Sequence, residues 1–194
     1  MEENPINNQK IELTPLQKMR REFEGASFLT GGRGLLAYGE FLGINFSEMK
    51  GKSVLEIGSG AYEKFKKEAT RIGIKVFSSS VHLNEARPSF YGRAQEMPFG
   101  DNVFDYEVAL FSVPYYLDLK EEVKITVAEV IRTLKPHGRA YFSPVLPGKK
   151  VILDDILKKF SDSISYNFFP LPKSLTKLLR EKTAYRLVVT KKDK

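Results

Sequence analysis

The sequence predicts a single α/β domain built on a mostly parallel sheet. Three observations predict it. From Ser53 onward, short β-branched runs alternate with segments of helical periodicity; one strand-like run ends in two glycines separated by a single residue just before a helix; and 194 residues give one well-buried core. The hydrophobic fraction of 42% and charged fraction of 28% are those of a soluble globular domain, and no apolar run approaches the ~20 residues of a membrane span.

Thr14 to Glu24 is expected to be a helix, with Thr14 as cap, Pro15 in the first turn and Leu16, Met19 and Phe23 at helical spacing. Gly31, Gly32 and Gly34 then break the chain before a second amphipathic stretch, Leu35 to Leu42. Without a following lysine and hydroxyl residue these glycines are a turn and not a phosphate-binding loop. Residues 1–48 therefore read as an N-terminal helical extension or lid, and 49–194 as the main domain.

Ser53 to Ile57 is the first strand, Tyr62 to Ile72 a helix with Phe65, Ala69 and Ile72 on one face, and Ile74 to Ser78 the next strand. Phe104 to Leu110 is a third strand. The helix after it aligns Val123, Val127, Val130, Ile131 and Leu134, and Lys135 to Gly138 ends it. Arg139 to Val145 is a strand and Val151 to Phe160 a helix with Ile152, Ile156, Leu157 and Phe160 inward. Ile164 to Phe169 and Ala184 to Thr190 form a closing strand pair.

Composition removes several function classes. There is no cysteine, so disulfides, thiolate zinc sites and a cysteine nucleophile are excluded; the two histidines, His82 and His137, are too widely spaced to favour a metal site or a serine-histidine triad, and no metal is expected. Both remain secondary candidates for a general base. The stretch Met1 to Lys10 is polar and lacks the apolar core of a secretory signal, which points to a cytoplasmic protein. The net charge of +7 is carried by Lys149 to Lys194, where ten lysines and two arginines face four aspartates and one glutamate. A solvated helix face with a lysine-rich tail is the simpler account, and attraction of nucleic acid the other.

The run Val54-Leu55-Glu56-Ile57-Gly58-Ser59-Gly60 ends a strand with an acidic residue and places its glycines where a helix begins. Glycines there let the backbone turn sharply and approach a ligand, while the helix start offers free amides; this describes a nucleotide or nucleoside site. The dinucleotide fingerprint G-x-G-x-x-G/A fits badly, because Glu63 stands at its third small position and no acidic residue follows at ~20 positions.

The strand-E-x-G-x-G form resembles motif I of the class I S-adenosylmethionine-dependent methyltransferases. Gln95-Glu96-Met97-Pro98-Phe99-Gly100-Asp101-Asn102-Val103-Phe104-Asp105 resembles the "LPF-D-x-x-FD" segment of the type 11-like group, and Glu129-Val130-Ile131-Arg132-Thr133-Leu134-Lys135-Pro136-His137-Gly138 its "E-x-x-R-x-LKPGG" segment. The resemblance covers about residues 52–145 in the right order. It implies a Rossmann-like fold with a mostly parallel seven-stranded sheet flanked by helices, S-adenosylmethionine as cofactor and S-adenosylhomocysteine as product. It also implies a cofactor site of Glu56, Gly58, Ser59, Gly60, Ser79, Ser80, Gln95, Glu96, Met97 and Phe111.

The chain departs from that pattern at three places. Tyr62 replaces the third motif I glycine, Ser78-Ser79-Ser80 replaces the strand end that carries a carboxylate for the ribose hydroxyls, and Arg93 stands where an acidic residue is expected near the adenine. A hydroxyl in place of a carboxylate costs ~1 to 2 kcal/mol of binding, about tenfold in affinity; Glu85 is the nearest compensating residue. On the acceptor side the candidates are Ser112, Tyr115 and Tyr116, just after the strand Phe104 to Leu110. Ser112 to Tyr115 distantly resembles the [N/D/S]-P-P-[Y/F/W] motif of enzymes that methylate planar amino groups, with Val113 breaking it. The expectation is a methyltransferase acting on a small molecule. The alternatives are a silent binding or regulatory member of the fold, motivated by Tyr62, Ser80 and Arg93, and a methyltransferase of amino groups on nucleic acid or protein.

Overall fold

The computed structural model describes residues 33–60, 62–81 and 88–193. The helix expected over Thr14 to Glu24, and Gly31, Gly32, His82 and Glu85, lie outside them. No helix among the described residues is long and apolar enough to cross a membrane.

Among the described residues seven strands, β1 (Ser53–Ile57), β2 (Lys75–Ser80), β3 (Phe90–Tyr91), β4 (Phe104–Leu110), β5 (Leu134–Val145), β6 (Ile164–Pro170) and β7 (Tyr185–Lys191), form one sheet in the order β3-β2-β1-β4-β5-β7-β6. Pairing is parallel from β3 through β5, and β7 runs antiparallel to both of its neighbours. The apolar residues of β1 alternate sides: Val54 goes into the layer of Phe41, Phe65 and Ile74, whereas Leu55 and Ile57 go into that of Val123, Leu134 and Ile156. A sheet buried on both faces needs this double supply of apolar residues.

Among the described residues five helices cover it: α1 (Leu35–Leu42), α2 (Lys64–Arg71), α3 (Lys120–Thr133), α4 (Pro147–Lys158) and α5 (Lys173–Leu178). α1 ends at Gly43, whose φ of +64° makes a left-handed cap that returns its amide to the Gly39 carbonyl. Its buried face, Ala37, Tyr38, Phe41 and Leu42, joins the core layer that contains Val54 and Leu110.

Several boundaries differ from expectation. The helix expected from Tyr62 begins only at Lys64, because Glu63 takes φ +46° and serves as its cap. β2 runs past Ser78 to Ser80, since Ser79 and Ser80 gain partners in Phe90 and Tyr91 of a two-residue β3 that no sequence pattern announced. α4 starts at Pro147, which suits a first helical position. Lys135 to Gly138 do not separate helix from strand: Leu134 already pairs with Phe104, and these residues bulge out opposite Asp105. Gly138 is required there, because a Cβ would lie 2.8 Å from the Lys135 carbonyl oxygen. The bulge delivers Lys135 Nζ to Asp105 Oδ2 at 2.9 Å, and the same oxygen accepts from the Ser53 amide at 2.9 Å. Asp105 thereby ties the start of β1 to β4 and β5.

Candidate functional site

Chain order reverses between β1 and β4, with β2 and β3 on one side and β5, β7 and β6 on the other. Ligands of such sheets bind outside the carboxyl ends of the strands at this switch point. The loop Glu56 to Gly60 leaves β1 there, and Phe111 and Ser112 leave β4.

The loop is held from both sides. Gly58 (φ +77°) and Gly60 (φ +67°) adopt left-handed conformations that favour glycine. Toward β2, the Gly58 amide donates to Ser79 Oγ at 3.1 Å and the Ser59 amide to the Ser79 carbonyl at 2.8 Å. Toward β4, Ser112 Oγ donates to the Ile57 carbonyl at 2.5 Å. A Cβ on Gly58 would stand 2.5 Å from the Ser112 Cβ. The loop backbone is therefore bare because its neighbour already fills the space.

Phe111 also has a left-handed backbone, φ +50°, uncommon for a bulky residue and worth of order 1 to 3 kcal/mol of strain. Its amide bond to the Ser143 carbonyl at 2.8 Å holds it in place. The turn aims the ring at Phe41, 5.1 Å between centroids, and beneath the Arg33 guanidinium, 4.5 Å away.

Glu56 is 1% exposed. Tyr38 of α1 donates its hydroxyl to Oε1 at 2.6 Å, while Oε2 has no hydrogen-bond partner among the described residues. Burial is the main cause that pushes this carboxyl up to about 7, against the opposing bond from Tyr38. Arg33, 8% exposed, is lowered by burial and partly restored by the fields of Tyr38, Tyr116 and Glu56. Glu56 and Arg33 thus sense each other, and the charges of Glu63 and Lys66 act on Glu56 as well.

No family model matches the chain. Over 112 residues it is 30% identical to the ubiquinone/menaquinone biosynthesis C-methyltransferase UbiE of Rickettsia typhi, a match that covers 58% of this chain and 41% of that protein. The chain therefore spans less than half the length of this curated relative. A solved structure from Methanococcus maripaludis, assigned as an S-adenosyl-L-methionine-dependent methyltransferase, superposes with a TM-score of 0.59 at 14% identity, covering 100% of this chain and 98% of its own. This is the class I methyltransferase fold. The N-methyltransferase NodS of Bradyrhizobium japonicum, solved with S-adenosyl-L-homocysteine, shares it with a TM-score of 0.52 at 11% identity over 73% of this chain and 79% of its own.

Within the methyltransferase fold the expected residues distribute unevenly. Glu56, Gly58, Ser59, Gly60, Ser79, Phe111 and Ser112 gather at the crevice between β1 and β4. Ser80 is buried at the end of β2. Tyr115 packs edge-on against Phe111 at 5.9 Å and against Tyr116 at 5.0 Å, and Tyr116 is half exposed. Gln95, Glu96 and Met97 lie between β3 and β4, next to an exposed Arg93. His137 sits in the bulge at the amino end of β5, on the opposite edge of the sheet, where Nε2 faces Asp193 at 3.2 Å.

The two later motif-like segments turn out to bind each other. Glu129 accepts from the Met97 amide at 2.9 Å, and Arg132 donates to the Phe99 carbonyl at 2.7 Å and the Met97 carbonyl at 3.2 Å while pairing with Glu129 at 2.8 Å. Helix α3 thus fixes the turn that carries Gln95 to Met97. Phe99 completes the seat by packing edge-on against Phe77, Phe90 and Phe104.

Sequence reasoning missed three residues. Arg33 and Tyr38 precede the loop and reach it only because α1 packs across the sheet. Glu63, read only as a break in the dinucleotide pattern, accepts from the Ser78 hydroxyl and from Lys66 Nζ at 3.0 Å. A carboxylate does reach β2, but from the loop side and two residues short of the strand end. The Glu63 to Lys66 spacing was the available signal.

Proposed function

We propose that the chain is an S-adenosylmethionine-dependent methyltransferase acting on a small-molecule acceptor. The observation that carries this reading is the loop Glu56 to Gly60 at the switch point, held by Ser79 and Ser112 with left-handed turns at Gly58 and Gly60, beside a buried Glu56 whose Oε2 lacks a partner among the described residues. That arrangement fits a ligand with an adenosine part and a charged amino-acid end. Its holders in this reading are Glu56, Gly58, Ser59, Gly60, Ser79, Ser80 and Phe111, with Gln95, Glu96 and Met97 beside the base.

The cofactor, when bound, supplies an activated methyl group on a sulfonium. The chain's own contribution is orientation and exclusion of water, which can be worth ~7 to 11 kcal/mol in such a displacement. Ser112, Tyr115 and Tyr116 form the acceptor side, and α1 is tied to the strand that carries the site through the bond from Tyr38 to Glu56. The similarity to a C-methyltransferase supports the transferred group and leaves the acceptor open.

Calorimetric titration of the full chain with S-adenosylmethionine and S-adenosylhomocysteine tests the reading: saturable binding of both is expected. Transfer of labelled methyl from S-adenosylmethionine into the small-molecule fraction of a cell extract is the second readout. Absence of heat at millimolar ligand would overturn the cofactor assignment, and label found only in macromolecules would overturn the acceptor class.

A further inference from the structure

The two edges of the sheet are built differently. β3, at one edge, is two residues long, whereas β6, at the other, runs from Ile164 to Pro170 and pairs with β7 throughout without a register shift. Soluble proteins protect an edge by shortening it, bulging it, covering it or placing charges on it, above all lysine. β6 has only Pro170 at its end. Although the segment Lys149 to Lys194 holds ten lysines and two arginines, Ile164 to Phe169 carries no charge, and Tyr166, Phe168 and Phe169 make it strongly aromatic. Phe169 is 42% exposed.

The phase of the ladder shows which main-chain groups face outward. The Lys192 amide donates to the Ser163 carbonyl and the Leu171 amide to the Ala184 carbonyl, both at 2.8 Å, so the odd-numbered residues of β6 turn their main-chain groups toward β7. Bonded and non-bonded positions alternate along an antiparallel pair. Tyr166 and Phe168 therefore turn their amides and carbonyls outward, where no bond among the described residues engages them.

A row of outward groups placed evenly about Asn167 is complementary to itself under a two-fold axis. We infer that β6 is a pairing edge for a second copy of this chain, antiparallel and centred on Asn167. Tyr166 of each copy then exchanges both main-chain bonds with Phe168 of the other, so that the aromatic side chains meet across the seam. Asn167 stands opposite its own counterpart at a non-hydrogen-bonded position, where Cα atoms lie ~4.5 Å apart. The flanking charges select the same direction. Asp162 precedes the strand and Lys173 follows it, so antiparallel pairing brings the acid of one copy to the end that holds the lysine of the other, and parallel pairing would set like against like. The crevice at β1 and β4 is separated from this edge by β5 and β7, so the inference stands apart from the cofactor reading.

Each copy carries a net charge of +7, which opposes association at low ionic strength. Sedimentation of the full chain is therefore measured in about 0.3 M salt, where the screening length is under ~8 Å. A concentration-dependent equilibrium between monomer and dimer is expected, with a dissociation constant in the micromolar range or weaker for so small an interface. Asn167 is exposed, so Asn167→Lys and Asn167→Asp should fold, which thermal unfolding checks, and each sets two like charges face to face. Either variant alone is expected to lose about fivefold to tenfold in dimer affinity, and an equimolar mixture of the two, in which opposite charges meet, to recover it. Amide exchange at Tyr166 and Phe168 should slow as the concentration of the unsubstituted chain rises. A monomer at every concentration overturns the inference, as does a dimer that both variants leave intact. Weakening in both variants without recovery in the mixture overturns the two-fold register about Asn167.

Discussion

The Tyr38 hydroxyl on α1 donates to Glu56 Oε1 at the end of β1 over 2.6 Å, and this bond joins the N-terminal helix to the strand that carries the site. Tyr38→Phe keeps the ring that stacks on Phe65 at 4.0 Å and removes only the donor. The Glu56 carboxyl then has both oxygens buried without a protein donor, at a cost of ~1 to 3 kcal/mol. Because the lost bond favours the ionised form, the cost should be larger at pH 8 than at pH 6. Urea unfolding at the two pH values measures it, and equal losses would show that the bond does not sense ionisation.

The second prediction concerns pH and stability. Burial raises Glu56 to about 7 and Glu107, in the middle of β4, to about 8, against ~4.3 in an unfolded chain. Between those values the folded protein holds protons that the unfolded chain has released. Stability from these groups is therefore complete below about pH 4 and is lost as pH rises toward 8. Asp105 has the opposite sign. Its bonds from Lys135 and Ser53 outweigh partial burial and lower it to about 2, so its contribution is present above ~3.9 and is lost as pH falls toward 2.

The melting temperature should accordingly peak in the mildly acidic range. Glu107→Gln, which retains an acceptor for the Thr133 hydroxyl now bonded at 2.5 Å, should raise stability at pH 8 and change little at pH 5. A melting profile for this variant parallel to the unsubstituted one would sink the assignment of the upper limb to Glu107.

How much of this could be read in advance depended on how local the cause was. The strands Ser53–Ile57 and Phe104–Leu110 and the amphipathic stretch Leu35–Leu42 were legible to the residue, because apolar runs and helical spacing are written within the segment itself. Loop Glu56 to Gly60 was legible for the same reason. β3 was not, since Phe90 and Tyr91 become a strand only by pairing with Ser79 and Ser80. The meeting of Tyr38 with Glu56, or of Glu129 with the Met97 amide, depends on helix packing across 18 and 32 residues of sequence and leaves no periodic trace.

The Glu129 and Arg132 pair yields the third prediction. Arg132 holds two carbonyls of the 97–101 turn and is paired to Glu129 and Asp101, with its side chain 31% exposed. Arg132→Met keeps much of the aliphatic stem and removes every donor. Given the partial exposure, a stability loss of ~1 to 2 kcal/mol is expected, at the lower part of the range for charge-assisted bonds. Amide exchange at Met97 and Phe99 should quicken more than exchange across β1. Uniform quickening would mean that Arg132 supports the whole fold and not this turn.

The fourth prediction separates shape from chemistry at the loop. Gly58→Ala meets two obstacles: a φ of +77°, which costs an L-residue ~1 to 2 kcal/mol, and the Ser112 Cβ at 2.5 Å. Rotation of a side chain cannot relieve a contact with a Cβ, so backbone must move. Ser112→Gly removes that obstacle, at the price of the hydroxyl bond to Ile57. In the double variant the steric part of the damage should vanish while the φ cost stays, and denaturant unfolding should show stability partly regained relative to Gly58→Ala alone. Cofactor affinity should not return with it if the ligand needs the bare backbone at Gly58. Full recovery of S-adenosylhomocysteine binding in the double variant would show that Gly58 serves only to accommodate Ser112, and would place the ligand's approach elsewhere on the loop.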